Sequence, residues 1–283
     1  MLVIGYFKCG LVSILSRLLM DSILEKFLAR NTALDAGMLP LVHTTRSYML
    51  GDIRQSHTIE AGECTVFRGE KLNYFFVGRP AYKYLSKENQ SPYWEFPTCF
   101  IFDFSVVSNI ARIFPFDSGA FRSGLYPDYI KKMNIDHFNA GNDISVVGKL
   151  IGSFFGNVKN YLKLVSDSEK DFCAKFSLGP FDAEVKALHR LSSEVSAENF
   201  DDRRLTVEIQ NKSDLNLLVN SPMAIVVPIE YLDDDEFMSV VNDRWGCEVL
   251  SYEISTLNIG HVVGQIYQKV FDFYREKGFI DGL

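Results

Sequence analysis

Several features by which proteins often declare themselves are missing from this sequence. Its five cysteines (Cys9, Cys64, Cys99, Cys173 and Cys247) are odd in number and scattered, with no CxxC pair and no histidine at zinc-ligand spacing. Neither a disulfide framework nor a structural zinc site is expected, and no metal is called for. Free thiols in a reducing cytoplasm are the expected state. Positive charge is also short: the net charge of −7 argues against a surface that grips nucleic acid all over, while leaving room for a local basic cleft. No uninterrupted apolar run reaches the ~20 residues of a membrane span. Met1 to Met20 is apolar, but Lys8 and Arg17 interrupt it and no convincing small-residue cleavage site follows. A phosphate-binding P-loop, a Gly-rich dinucleotide fingerprint, a serine-hydrolase elbow and a zinc-protease helix are all absent. So are internal repeats and low-complexity tracts.

What is present is an ordinary globular composition, 47% hydrophobic and 23% charged over 283 residues, enough for one large core. From Leu11 the apolar positions Ile14, Leu15, Leu18, Leu19, Ile23, Leu24, Phe27 and Leu28 recur at helical spacing, which predicts an amphipathic helix within residues 1–36. Residues 37–260 form the central domain, and 261–283 a C-terminal helix packed on it. Strands are expected at Leu41, at Tyr74–Val77, at Phe96–Val107, at Leu205–Gln210, at Met223–Pro228 and at Cys247–Tyr252. Ile110–Tyr126, broken by Pro115, Gly119 and Gly124, reads as a loop with a tight turn at Asp117-Ser118-Gly119. This loop could line a pocket with Asp117 and Ser118. Asp143–Val165 reads as one long helix, loosened at Gly152 and Gly156, and Phe181–Val195 and Asp234–Asp243 as two more. Strands and helices intermix without regular β-α alternation, so the expected class is α+β.

The richest stretch is Leu41–Tyr84. A short apolar strand delivers His43-Thr44-Thr45, a helical turn follows over Ser47–Ile53, and an aromatic strand, Tyr74-Phe75-Phe76-Val77, runs into Gly78-Arg79-Pro80-Ala81-Tyr82. A histidine and two hydroxyls at one strand end, with an Arg/Tyr pair at the next, exceed what a plain core needs. The plainer alternatives are a strand-end histidine satisfied by backbone and an arginine paired with a carboxylate.

This pattern resembles the start of an ADP-ribosyltransferase domain, particularly the DarT-type enzymes that modify nucleic acid. The resemblance covers roughly Leu41 to Val227, and it implies split mixed and antiparallel sheets with flanking helices. It also implies NAD as co-substrate, with RNA or DNA as acceptor, a toxin or defence role and an antitoxin partner. On that basis His43, Thr44 and Thr45 would hold the NAD ribose, Tyr82 (or Tyr74) would stack on nicotinamide, and Arg79 would serve NAD or the target. Glycosyl transfer also needs a carboxylate near an oxocarbenium-like centre. Glu208, on the strand after the charged loop Glu198–Arg204, is preferred; Glu184, in Asp182-Ala183-Glu184-Val185, is its competitor. The His43-to-Glu208 spacing is long for a minimal transferase and implies insertions. A protein acceptor, simple NAD hydrolysis and a non-catalytic immunity or scaffold module are the rival functions.

Overall fold

Strands β1 (Leu41–Arg46) and β5 (Pro97–Phe102) form the axis of the protein, described here from a computed structural model over residues 22–31, 36–81, 92–193, 205–254 and 259–280. The two pair antiparallel from Leu41–Phe102 to Arg46–Pro97, and every residue of β5 is buried, as its aromatic and apolar sequence demands. Beyond β5 lie β9 (Ala224–Pro228), antiparallel to it, and β10 (Glu248–Tyr252), parallel to β9. On the other side β1 meets β4 (Lys71–Val77), followed by β7 (Glu208–Asn211) and β6 (Ile110–Phe114), all antiparallel. Strand β3 (Gly62–Glu63) also pairs with β4, while β2 (Thr58–Ile59) and β8 (Leu215–Asn216) make a separate small sheet. The class is α+β: a mixed eight-stranded sheet and a two-stranded one, with ten α-helices among the described residues.

The large sheet is forked at its middle. β1 and β4 pair only at Leu41–Val77 and Val42–Phe76; beyond that point β1 follows β5 and β4 follows β7. Just past the seam the chain leaves β4 through Gly78, whose φ is +68° and where a Cβ would sit 2.6 Å from Leu39 Cδ1. Only glycine takes that conformation and that close approach together. Tyr161 braces the same point: its hydroxyl donates to the Val77 carbonyl at 2.9 Å and accepts from the Val207 N–H at 3.1 Å.

Helices cover the sheet. α1 (Ile23–Arg30) is capped by Ser22, whose hydroxyl accepts from the Glu25 N–H at 2.9 Å. α2 (Leu50–Ser56) follows β1 through a 3₁₀ turn at Ser47–Met49. α3 (Ser118–Arg122) and α4 (Asp128–Lys131) follow β6. The helix expected over Asp143–Val165 is two, α5 (Val146–Phe155) and α6 (Val158–Lys163). Gly156, at φ +79°, ends the first, and the Asn157 side chain caps the second. α7 (Glu169–Lys175) and α8 (Ala183–Ser193) come next, and α9 (Asp235–Ser239) runs on as a wider turn over Val240–Trp245. α10 (Ile259–Glu276) packs against β9 and β10. Among the described residues no helix is long and apolar enough to cross a membrane. The expected helix before Asp21, Tyr82 and the Glu198–Arg204 loop lie outside the described residues.

One expectation is corrected here. Ile110–Tyr126 is not a loop: Ile110–Phe114 is the edge strand β6, and Ser118–Arg122 is a helix. Pro115 stops the strand, and the Asp117 side chain, accepting from the Ala120 N–H at 2.8 Å, starts the helix. The short apolar alternation of IARIF was hidden by the turn residues that follow it.

Candidate active site

The fork creates a cleft of about 620 Å³, within the range of small-molecule sites. From β1 it is lined by His43, Thr44 and Thr45, and from β4 by Leu72, Asn73 and Tyr74. Helix α2 and the β2–β3 segment close it, contributing Asp52, Glu60 and Glu63 among others. Three carboxylates therefore line the cleft, and among the described residues no lysine or arginine does.

Where the two backbones part, a side chain bridges them. His43 Nδ1–H donates to the Tyr74 carbonyl at 2.9 Å, and the ring lies 5.6 Å from that of Phe75. Burial pulls the imidazole below its ordinary pKa, against the opposing pull of the Tyr74 bond. The neutral ring with its proton on Nδ1 leaves Nε2 as a hydrogen-bond acceptor, the role a sugar hydroxyl would require.

Strand register decides which side chains share a face. Phe76 pairs with both Val42 and Glu208, and Tyr74 pairs with Gln210, which pairs with Arg112. Alternation then puts Thr44, Tyr74, Glu208, Gln210 and Arg112 on one face, and His43, Phe75 and Ile209 on the other. The structure thus gathers Thr44, Tyr74 and Glu208 from three adjacent strands, while His43 reaches β4 from beneath. A single pocket into which His43 and Glu208 both project is not what the register provides. One strand position separates their faces, and Glu208 is not among the residues lining the cleft.

Glu208 itself is 1% exposed at the first position of β7. Its Oε1 accepts from Ser118 Oγ at 2.7 Å and from Gln210 Nε2 at 2.7 Å, and its Oε2 accepts from the Ser118 N–H at 3.0 Å. Burial first, and then the charge of Asp117, push its pKa up to about 8, against the hydrogen bonds from Gln210 and Ser118. A carboxyl poised near neutrality can hold or release a proton at working pH. Tyr74 lies close enough that the Glu208 charge, after burial and a bond to Cys64, raises its hydroxyl pKa; the Tyr74 oxygen and Cys64 Sγ are 2.8 Å apart. Asp117 also lines a second cavity of about 520 Å³, with Arg122 and Thr65.

The other candidates fall elsewhere. Arg79 is 2% exposed: its guanidinium donates to the Tyr161 carbonyl and, at 3.1 Å, to that of Leu162, and lies over the Tyr161 ring. Its Nη2 thus anchors the end of α6, and Arg79 is not among the residues lining the cleft. Glu184 stands in the first turn of α8 and is bonded to His137 Nδ1 at 2.8 Å, in the helical setting the sequence indicated. It is not in the cleft lining. Tyr82 lies outside the described residues. Arg112 was missed, because IARIF read as loop; its alternation was the available signal. Among the described residues no group of three or more His, Cys, Asp or Glu side chains is placed to hold a metal ion. No family model matches the chain, and no curated protein or solved structure matches it significantly.

Proposed function

We propose that the protein is an ADP-ribosyltransferase that uses NAD as donor. The observation that carries this reading is the forked sheet. It presents an imidazole and hydroxyls where β1 and β4 separate, with a buried, protonatable carboxyl one strand further on. NAD would supply the ribosyl–nicotinamide bond. The residues that would hold it are His43 through Nε2, Thr44 and Thr45 through their hydroxyls, and Tyr74 through its ring. Asp52, Glu60 and Glu63 suit the positively charged nicotinamide ring, and they disfavour a diphosphate lying against that wall. Glu208 shares a face with Thr44 and Tyr74 but is buried outside the cleft lining; to stabilise charge on the ribose or take the acceptor's proton it would have to be ionised and uncovered by a movement of the strands. Ser118 and Gln210 keep its oxygens fixed for that purpose.

The resemblance points to nucleic acid as acceptor and to a toxin or defence role with an antitoxin partner. The acidic lining of the cleft favours a second reading, transfer to a basic protein segment. Incubating the protein with NAD labelled on adenine and a mixture of RNA, DNA and protein separates the two by which fraction is labelled. Nicotinamide release without labelled acceptor would identify a hydrolase. Intact NAD in every mixture would refute the proposal and leave a binding module.

A further inference from the structure

We propose that Arg112 and Gln210 form a positioning relay for Glu208, in which the guanidinium dictates which end of the Gln210 amide faces the carboxyl. The inference rests on Glu208 being the acid of the proposed reaction, but its geometry stands apart from that reading. Arg112 is gripped on two sides. Its Nη1 and Nη2 donate to the two oxygens of Glu70 at 3.1 and 2.8 Å. Its guanidinium carbon lies 3.7 Å from the centre of the Phe67 ring, which is itself stacked on Phe114. The remaining Nε–H donates to Gln210 Oε1 at 2.9 Å.

A guanidinium has donors only, so the amide oxygen must face it. Gln210 Nε2 is thereby turned to Ser118 Oγ at 3.0 Å and to Glu208 Oε1 at 2.7 Å. Were the amide reversed, its NH₂ would meet the guanidinium, a donor-to-donor contact in a buried site, and the ionised carboxyl would face the amide oxygen. Gln210 stands between Arg112 and Glu208, taking the guanidinium on its oxygen and giving its NH₂ to the carboxyl. Its influence passes through the amide. The groups facing the carboxyl are Ser118 and Asp117 at the start of α3, Gln210 on its own strand and Tyr74 on β4; Phe114 on β6 is its apolar register partner. A lysine at position 112 would keep the charge without the fork that reaches Glu70 and Gln210 together.

The test is the side-chain carboxyl titration of Glu208 by NMR in the full chain labelled with ¹³C-glutamate, the resonance being identified by its absence in Glu208→Gln. Loss of one hydrogen bond to a charged carboxylate raises its midpoint by about one to two pH units. Arg112→Met and Gln210→Met are each expected to produce that rise, the double variant no more than either alone, and Arg112→Lys to leave it raised. An unmoved midpoint in Arg112→Met or Arg112→Lys, full restoration by lysine, or additive shifts would overturn the relay. Should Arg112→Met fail to fold, Arg112→Lys decides alone. NAD cleavage is followed in the same samples. A shifted midpoint in a protein that cleaves no NAD would keep the relay and remove the transferase reading.

Discussion

Glu208→Gln should change how stability depends on pH, and the burial of this carboxyl gives the sign. Burial raises the folded-state pKa of Glu208 to about 8 from its ordinary 4.5, so between those values the folded protein holds a proton that the unfolded chain has released. Stability from this group is therefore full below about pH 4.5 and is lost as pH rises towards 8. Each pH unit of such a rise corresponds to about 1.4 kcal/mol, so the effect is on the order of a few kcal/mol, a sizeable share of the 5–15 kcal/mol typical of a folded domain. Burial holds the His43 imidazole below its ordinary pKa, so this group acts in the opposite sense, losing stability on acidification. It is present in both proteins and cancels in their difference. Urea unfolding at intervals from pH 5 to 8.5, read by fluorescence of the buried Trp245, gives the difference directly. The variant should be relatively more stable, by several kcal/mol, at the alkaline end than at the acid end. Parallel curves for the two proteins would refute the assignment of a raised carboxyl at this position.

Glu208→Gln should also abolish NAD cleavage while the protein stays folded, whereas Glu184→Gln should retain activity and cost no more than about 1 kcal/mol, measured by nicotinamide release and urea unfolding. Arg79→Met should destabilise the protein by about 2–4 kcal/mol, since the Tyr161 and Leu162 carbonyls lose a charged donor; a drop in activity without a lower melting temperature would show that the anchor role is wrong. Gly78→Ala should cost about 1–3 kcal/mol from its positive φ and the Leu39 contact, and a wild-type melting curve would count against the seam geometry. His43→Phe should weaken NAD binding, measured by calorimetry, without unfolding the sheet, because the ring contact with Phe75 is kept while the bridge to Tyr74 is lost.

Local pattern made much of this architecture legible. The alternation in Leu205–Gln210 and the apolar runs at Phe96 and Met223 fix strands β7, β5 and β9, because period and side-chain type agree there. The isolation of Glu208 among β-branched neighbours also marked it correctly as a buried acid needing partners. The pairing of strands far apart in sequence was not legible. Whether His43 and Glu208 face each other depends on the register of β1, β4 and β7, and one residue of register exchanges the faces. The contacts of Arg79 were illegible for a related reason. A guanidinium beside a proline looks like a ligand group in sequence, and only the return of α6, some eighty residues later, reveals the carbonyls it holds. Arg112 stayed hidden because Pro115 and Gly119 suppress the strand signal just before them.

The narrow seam at Leu41–Val77 and Val42–Phe76 has a mechanical consequence. Backbone pairing between the wing built on β1, β5, β9 and β10 and the wing built on β4, β7 and β6 is confined, among the described residues, to those pairs and the Gly78–Pro40 bond, with the His43–Tyr74 hydrogen bond and the Phe75–Phe102 ring contact as side-chain links. His43 and Thr44 ride on one wing, Tyr74 and Glu208 on the other. The separation of these groups is therefore set by a short stretch of backbone pairing and by the core packed beneath it, which both wings share.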